Sequence, residues 1–565
     1  MESARTASPH ASVGSPSRIW WVAFAVILIG FAVCAFGQLR LATTPGWQDT
    51  EGYLGHSLYI AEHGGWPGFV KESLAGTFPI TERHPMYLLM LSPFAARTPQ
   101  FFWNAKMLDL ACGLIALAAM LLLVRRRFGE PASMVAGTVF AVSQTLLVAS
   151  SHVNHETQFM LFMLLAWWWL TKAEDTKSWA IAGMWTGLAY FTKSSAILLI
   201  ASVVTASVLH HRWRAFFHPR LWAFLLTTAL FCSPMLIRNV RGYGKLIYEG
   251  VNSSIMWLDK WSELGGQHSI MYYGHYGYKT IERNGLPTAK QYLRKHGIIG
   301  IVGRLATGIR TELMIVAPKA LMPSFPLPKA AAMGWGALWL LLAFVGLCLD
   351  WRSWQARLTW ISSAAFVVFF GWNKLFPEMR YLAPLVPIWL AYGGWVVAKY
   401  SRLATQATAL GGMALLVAGA GWTAANGSLT SPQPIVAVSP AYTDLLAWME
   451  KNTVEGDRIL TGPSEQFYGL FWSTTAPVKI IQTPDVRSLN GFLRYLKERK
   501  VTYFVLHTEN AYGWGGQLAD ALAPYAEVTK EGEIVEKQAM PGWKRVYEDP
   551  NKPRRFYIYK YKQEN

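Results

Sequence analysis

Residues 102–127 read FWNAKMLDLACGLIALAAMLLLVRRR. From Phe102 to Val124 the run is apolar except for Asn104, Lys106 and Asp109, and it closes on Arg125, Arg126 and Arg127. A hydrocarbon core about 30 Å thick needs roughly 20 apolar residues, so this stretch is long enough to cross a bilayer as one helix. Arginines clustered at the end of such a helix mark a cytoplasmic loop, where Lys and Arg are in excess.

Working outward, similar apolar segments recur at 19–38, 131–150, 158–170, 179–191, 196–209, 221–237, 333–349, 358–372, 381–398 and 404–425. The expectation is a polytopic α-helical membrane protein of about eleven transmembrane helices. The composition agrees, with 52% hydrophobic, 14% aromatic and only 15% charged residues. Lys172 and Lys177, then Arg212, Arg214 and Arg220, then Arg352 and Arg357, then Lys399 and Arg402 fall in alternate loops together with the Arg125 cluster. Those loops are therefore expected in the cytoplasm, with the N-terminus inside and the first span retained rather than cleaved as a signal.

That reading places three large segments outside: 39–101, 238–332 and everything after 426. The first 426 residues form the membrane domain, 427–440 a Ser/Pro-containing linker, and 441–565 a soluble α/β domain. In the tail, 441–452 and 489–500 read as helices, 458–461 and 501–507 as strands, and 555–561 as an edge strand. The tail shows no Gly-rich phosphate loop, so nothing in it supports nucleotide binding.

The formal charge of +18 is a matter of topology. From Ala441 onward there are 17 Lys and Arg against 16 Asp and Glu, which leaves 35 basic and 18 acidic residues in the membrane part. That distribution excludes a nucleic-acid footprint. Cys34, Cys112, Cys232 and Cys348 lie within apolar segments and form no metal-binding pattern.

The chemistry is expected in the outer segments. Asp49 and Glu51 lie in Gly46-Trp47-Gln48-Asp49-Thr50-Glu51-Gly52-Tyr53, close to the end of the first span, although Asp49 also suits a helix cap near Gly52. Arg83, Lys193, Arg238, Arg241, Lys374 and Arg380 sit at outer span ends, against the positive-inside bias. One such cation is explained by snorkelling to phospholipid headgroups, but six together suit a lipid-linked phosphate. The Tyr- and His-rich run 271–278 suits a sugar or an interfacial belt equally.

In chain order these pieces resemble the GT-C class of integral-membrane glycosyltransferases, in the branch of the protein O-mannosyltransferases and the lipid A aminoarabinose transferase. The resemblance rests on Asp49; Glu82-Arg83-His84-Pro85; His155-Glu156; Gly187-Leu188-Ala189-Tyr190-Phe191-Thr192-Lys193; Ser233-Pro234-Met235-Leu236-Ile237-Arg238-Asn239; and Arg380-Tyr381-Leu382-Ala383-Pro384. It covers roughly residues 47–398. Members often carry two adjacent acids in the first loop, whereas Thr50 separates Asp49 from Glu51 here.

The resemblance implies transfer of a sugar from a polyprenyl-phosphate donor to a glycan, lipid or protein acceptor on the outer face of a bacterial inner membrane, with inversion. It implies Asp49 as general base, with Glu51 as the competing choice, and Arg83, Lys193, Arg238 and Arg380 as ligands of the leaving phosphate. Glu82, His84, His155 and Glu156 are then expected along the sugar or acceptor pocket. No cofactor is required. A divalent ion would draw on His152 and His155, three apart, with Glu82 and Glu156. A secondary transporter or flippase would show internal repeats and midplane polar groups, and Asp109 is the main such group here. A scaffold with a partner-binding tail would leave the acids and cations of the other loops unexplained.

Overall fold

The computed structural model describes residues 15–41, 49–80, 83–96, 98–172, 175–248, 256–259, 288–373, 377–426, 440–460, 479–481, 489–507, 522–529, 531 and 533–562. All eleven apolar segments are helical. The first is α1 (Arg18–Leu41), followed by three short helices, α2 (Thr50–Glu62), α3 (Gly65–Ala75) and α4 (Pro85–Leu91). The bundle continues as α5 (Pro99–Phe128), α6 (Glu130–Ala141), α7 (Gln144–Ser151), α8 (Glu156–Lys172), α9 (Thr176–Thr192), α10 (Ile197–His211) and α11 (Pro219–Tyr243). After 248 come α12 (Ala289–Thr311), α13 (Ala317–Ala320), α14 (Lys329–Leu349), α15 (Trp354–Trp372), a 3₁₀ turn Met379–Leu385, α16 (Val386–Tyr400) and α17 (Arg402–Asn426). Among the described residues, seven helices are long and apolar enough to cross a membrane in one piece.

The segment expected as one span at 131–150 is instead two helices, α6 and α7, broken at Val142–Ser143. A break inside a bundle strands backbone groups away from water, and a distant strand-like segment supplies the partners. Gln144 N donates to the Met322 carbonyl at 2.9 Å, and Ser324 N to the Val142 carbonyl at 2.7 Å. Ser143-Gln144-Thr145 marks the place of the break, but the compensating bonds come from about 180 residues downstream.

The segment 238–332, expected outside, contains α12, which sequence reading left without a helix. Its N-cap Thr288 forms a capping box with Gln291, and Gly297 at φ 60° bends the axis between a basic half and an apolar half. α12 crosses the C-terminal end of α15, where Arg304 Nε donates to the Trp372 carbonyl at 2.9 Å.

Charge fixes the two ends of the bundle. At one end, Arg127 pairs with Asp350 at 3.1 Å, tying α5 to the end of α14, and Glu130 accepts from Arg125 at 3.3 Å. At the other end, α2, α4, α8, α9 and the 3₁₀ turn present their termini together.

Close seams between helices rely on small residues. A Cβ at Gly183 of α9 would collide with the Phe224 carbonyl oxygen of α11, and one at Gly187 would lie 2.9 Å from the Thr228 carbonyl oxygen. The Gly183-x-x-x-Gly187 pair is thus a helix-contact motif.

The tail forms a five-stranded sheet in the order β2-β1-β3-β7-β6, made of β1 (Arg458–Leu460), β2 (Lys479–Ile481), β3 (Tyr503–His507), β6 (Trp543–Glu548) and β7 (Phe556–Tyr561). β4 (Ala526–Val528) and β5 (Ile534–Glu536) make a separate hairpin. β1 runs parallel to β2 and β3, whereas β7 is antiparallel to both β3 and β6. α18 (Pro440–Asn452) packs Leu445 and Met449 on the face of Ile459, Val505 and Ile558, while α19 (Leu489–Glu498) packs Phe492 and Leu496 on the face of Phe504, Leu506 and Tyr559. The final strand, expected at an edge, is interior. β6 covers it through a register that a short-range alternation pattern does not reveal.

Replacing Gly183 by Val should lower the thermal midpoint in detergent by several degrees, since overpacking costs about 1–3 kcal/mol. A methyl group at Gly411 would have no neighbouring atom within 4 Å, so Gly411→Ala should leave the midpoint unchanged or raise it slightly.

Candidate active site

Each functional side chain sits where a helix begins or ends. Asp49 precedes α2, Arg83 and His84 precede α4 with Pro85 at its first position, and Glu156 opens α8. Lys193 follows α9 in extended conformation, and Arg380 and Tyr381 lie in the 3₁₀ turn. Helix termini leave backbone and side chains unconstrained by a neighbouring turn, so polar groups gather there without breaking the apolar shafts.

Asp49 does not cap α2 with its side chain, contrary to the plain reading of its position. Its carboxylate turns instead to two arginines, Oδ1 lying 2.6 Å from Arg83 Nη2 and Oδ2 3.5 Å from Arg380 Nη1. Two guanidinium charges outbid a single backbone N–H for the carboxylate. Burial pushes the Asp49 carboxyl up, but Arg83, Arg380 and Lys193 together outweigh it and hold the group below the usual carboxylate range.

A second ion pair lies beside the first. Glu156, 2% exposed, accepts from Lys193 Nζ at 2.6 Å. Lys193 also lies 4.6 Å above the Tyr381 ring, and Arg83 5.3 Å above the Tyr53 ring. Glu378 pairs with Arg380 at the rim. The set therefore alternates cations and carboxylates across a partly exposed mouth.

His155 links the two halves. Its Nδ1 is hydrogen-bonded to the Tyr53 hydroxyl, and its Nε2 lies 3.6 Å from Glu156 Oε1. Burial, then the neighbouring cations Lys193, Arg380 and Arg83, hold the imidazole well below its usual pKa, so it is neutral at pH 7. A neutral ring accepting at Nδ1 carries its proton on Nε2, facing Glu156. Thr50 Oγ1 donates to the Val153 carbonyl at 3.1 Å and fixes α2 against this turn.

Of the residues expected from sequence, Asp49, Arg83, His155, Glu156, Lys193 and Arg380 come together. Arg238 does not join them, because its Nη1 donates to the Ile80 carbonyl at 2.6 Å and its Nη2 to Asn239 Oδ1. His84 turns its Nδ1 to the Tyr190 carbonyl at 2.6 Å, and burial lowers its pKa to about 4. Arg241 bonds the Leu74 carbonyl. Glu82, Lys374 and the side chain of Glu51 lie outside the described residues.

His152 and His155 do not share a helix face. The chain between α7 and α8 is non-helical, and His152 Nδ1 meets the Val148 carbonyl at 3.0 Å. Among the described residues no three His, Cys, Asp or Glu side chains gather as a metal site would require.

Sequence reading missed Tyr53, Tyr381 and Glu378. Tyrosines near span ends read as interfacial anchors, and only their placement under Arg83 and Lys193 distinguishes them.

The fold that carries this cluster is that of the GT-C class of integral-membrane glycosyltransferases. Residues 82–237 match the family described as dolichyl-phosphate-mannose-protein mannosyltransferase. Over 96% of this chain and 98% of the other, the structure superposes with TM-score 0.56 and 13% identity on ArnT from Cupriavidus metallidurans, solved bound to undecaprenyl phosphate. The Archaeoglobus fulgidus oligosaccharyltransferase, solved with zinc and sulfate, matches at TM-score 0.49 and 15% identity over 90% of this chain and 72% of that one. No curated protein matches the chain by sequence.

The Lys193–Glu156 pair predicts a coupling that does not depend on activity. Lys193→Met alone leaves a buried carboxylate without its partner and should destabilise by about 3–5 kcal/mol. The double change Lys193→Met with Glu156→Gln should recover much of that loss, measured as thermal midpoints of purified protein in detergent.

Proposed function

We propose that this protein transfers a sugar from a polyprenyl-phosphate donor to a glycan, lipid or protein acceptor, with inversion at the anomeric carbon. The observation that carries this reading is Asp49 held between Arg83 and Arg380 beside Lys193: a carboxylate base among cations suited to a leaving phosphate. The family match over 82–237 and the ArnT-like fold support it.

In this mechanism Arg83, Arg380 and Lys193 bind the donor phosphate. An arginine fork can serve a carboxylate and a phosphate oxygen at once, and Lys193 adds a point charge. The acceptor attacks C1 of the sugar from the face opposite the phosphate. A new C1 bond to the acceptor forms, the C1–O bond to phosphate breaks, and the acceptor proton passes to Asp49. The departing polyprenyl phosphate carries the developing negative charge into the cations. His155 and Glu156 line the sugar or acceptor side. Arg238 serves the donor indirectly, by holding the chain at Ile80 that leads to Arg83.

The cations also explain how the base is controlled. Paired with two arginines, Asp49 is a weak base. The donor's phosphodiester monoanion, drawn to the same guanidiniums, reduces their pull on the carboxylate and raises its basicity as the donor arrives. We place the cluster on the outer face of a plasma (inner) membrane. The end bearing Arg125–Arg127 and the N-terminus then face the cytoplasm and the tail lies outside.

Purified protein given labelled polyprenyl-phosphate sugars and membrane extract should transfer or hydrolyse donor. Asp49→Asn, well folded, should lose on the order of 10³-fold in kcat. Equal activity would move the base to Glu51, and no turnover of any donor would favour a transporter or scaffold. Because Arg83 depresses the Asp49 pKa, Arg83→Gln should move the acid limb of kcat/KM to higher pH. An unmoved limb would exclude Asp49 as the titrating base.

A further inference from the structure

Asp109 lies ten residues into α5, about 15 Å along the helix from its start, and is fully buried. An ionisable group in that setting is costly, and among the described residues it has no ion-pair partner. Three donors converge on it instead. Tyr87 donates to Oδ2 at 2.7 Å, Asn154 N to Oδ2 at 3.3 Å, and Gln158 Nε2 to Oδ1.

Each donor belongs to an element that carries the active site. Tyr87 is on α4, one turn after Arg83, and its ring meets Tyr53 edge-on at 5.1 Å. Asn154 immediately precedes His155, and its side-chain oxygen accepts from Glu156 N at 2.9 Å. Gln158 is in the first turn of α8, two residues after Glu156. Through these bonds one carboxylate sets the Arg83–Tyr53 half of the cluster against the His155–Glu156–Lys193 half.

We propose that Asp109 is a positioning residue for sugar transfer: a buried acceptor on α5 that holds the two halves of the active site in register without touching substrate. The kinetic part rests on the transferase reading above, whereas the geometric part does not. The carboxylate matters here as an acceptor shape rather than as a charge. Gln158 Oε1 is buried without a partner, so an Asn at 109 can be met by rotating the Gln158 amide, which turns its oxygen toward the new NH₂. Leu offers no acceptor and strands all three donors.

The test compares Asp109→Asn and Asp109→Leu in the full chain, with kcat normalised to folded protein. Asp109→Asn should keep kcat within about threefold. Asp109→Leu should lose on the order of 10²-fold in kcat with donor KM little changed, the size expected from misplacing reacting groups by about 1 Å. A second readout needs no turnover: His155→Cys in a chain freed of its four native cysteines, labelled with an impermeant maleimide. Labelling should accelerate several-fold when Asp109→Leu is added and stay unchanged with Asp109→Asn. A Leu variant with wild-type kcat per folded molecule, or a lowered kcat with unaltered labelling, overturns the proposal. If wild-type protein turns over no donor while Asp49→Asn behaves identically, the transferase reading fails, and labelling alone then decides whether Asp109 positions the cluster.

Discussion

A carboxylate inside this bundle must find a cation or several donors, and the site end of the molecule is arranged around that requirement. Glu156 is almost wholly enclosed, and moving an unpaired carboxylate into such a place costs several kcal/mol. Lys193, leaving α9 in extended conformation, meets it at 2.6 Å. The same demand turns Asp49 away from capping α2 and toward Arg83 and Arg380. Helices far apart in sequence are thereby brought to one level, because a displaced terminus would leave a charge buried alone.

The apolar shafts show why these termini can be so polar. Backbone satisfaction comes from within each helix, and where a helix breaks the remedy is specific and distant in sequence, as in the bonding of Met322–Ser324 into the gap between α6 and α7. Small residues let the shafts approach, as at Gly183 against α11.

Much of this was legible in the sequence. Hydropathy located the apolar helices but not the break at Val142–Ser143, and seven rather than eleven of the described helices are long and apolar enough to cross in one piece; cations at the ends of apolar segments picked out Arg83, Lys193 and Arg380. Arg238 belongs to the same pattern yet turns to the Ile80 carbonyl, because a guanidinium near a chain reversal is equally useful as a clamp. Sequence alone cannot separate those uses. Tyr53 and Tyr381 were hidden for a related reason, since interfacial tyrosines are common and a cation above the ring is a tertiary fact. α12 was missed because Gly297 divides it into two halves of opposite character, neither of which reads as a span.

The balance of charges also bears on the order of events. With Asp49 tied to two arginines and Glu156 to a lysine, the described cluster of Asp49, Glu156 and Glu378 with Arg83, Lys193 and Arg380 is neutral as it stands. A donor phosphate adds negative charge and has to compete with the carboxylates for the cations. Glu156 is the more deeply buried, so Asp49, at the wetter side of the mouth, is the one whose pairing is screened by water and yields more readily. In the mechanism proposed above, the carboxylate that loosens is then the one placed to accept a proton.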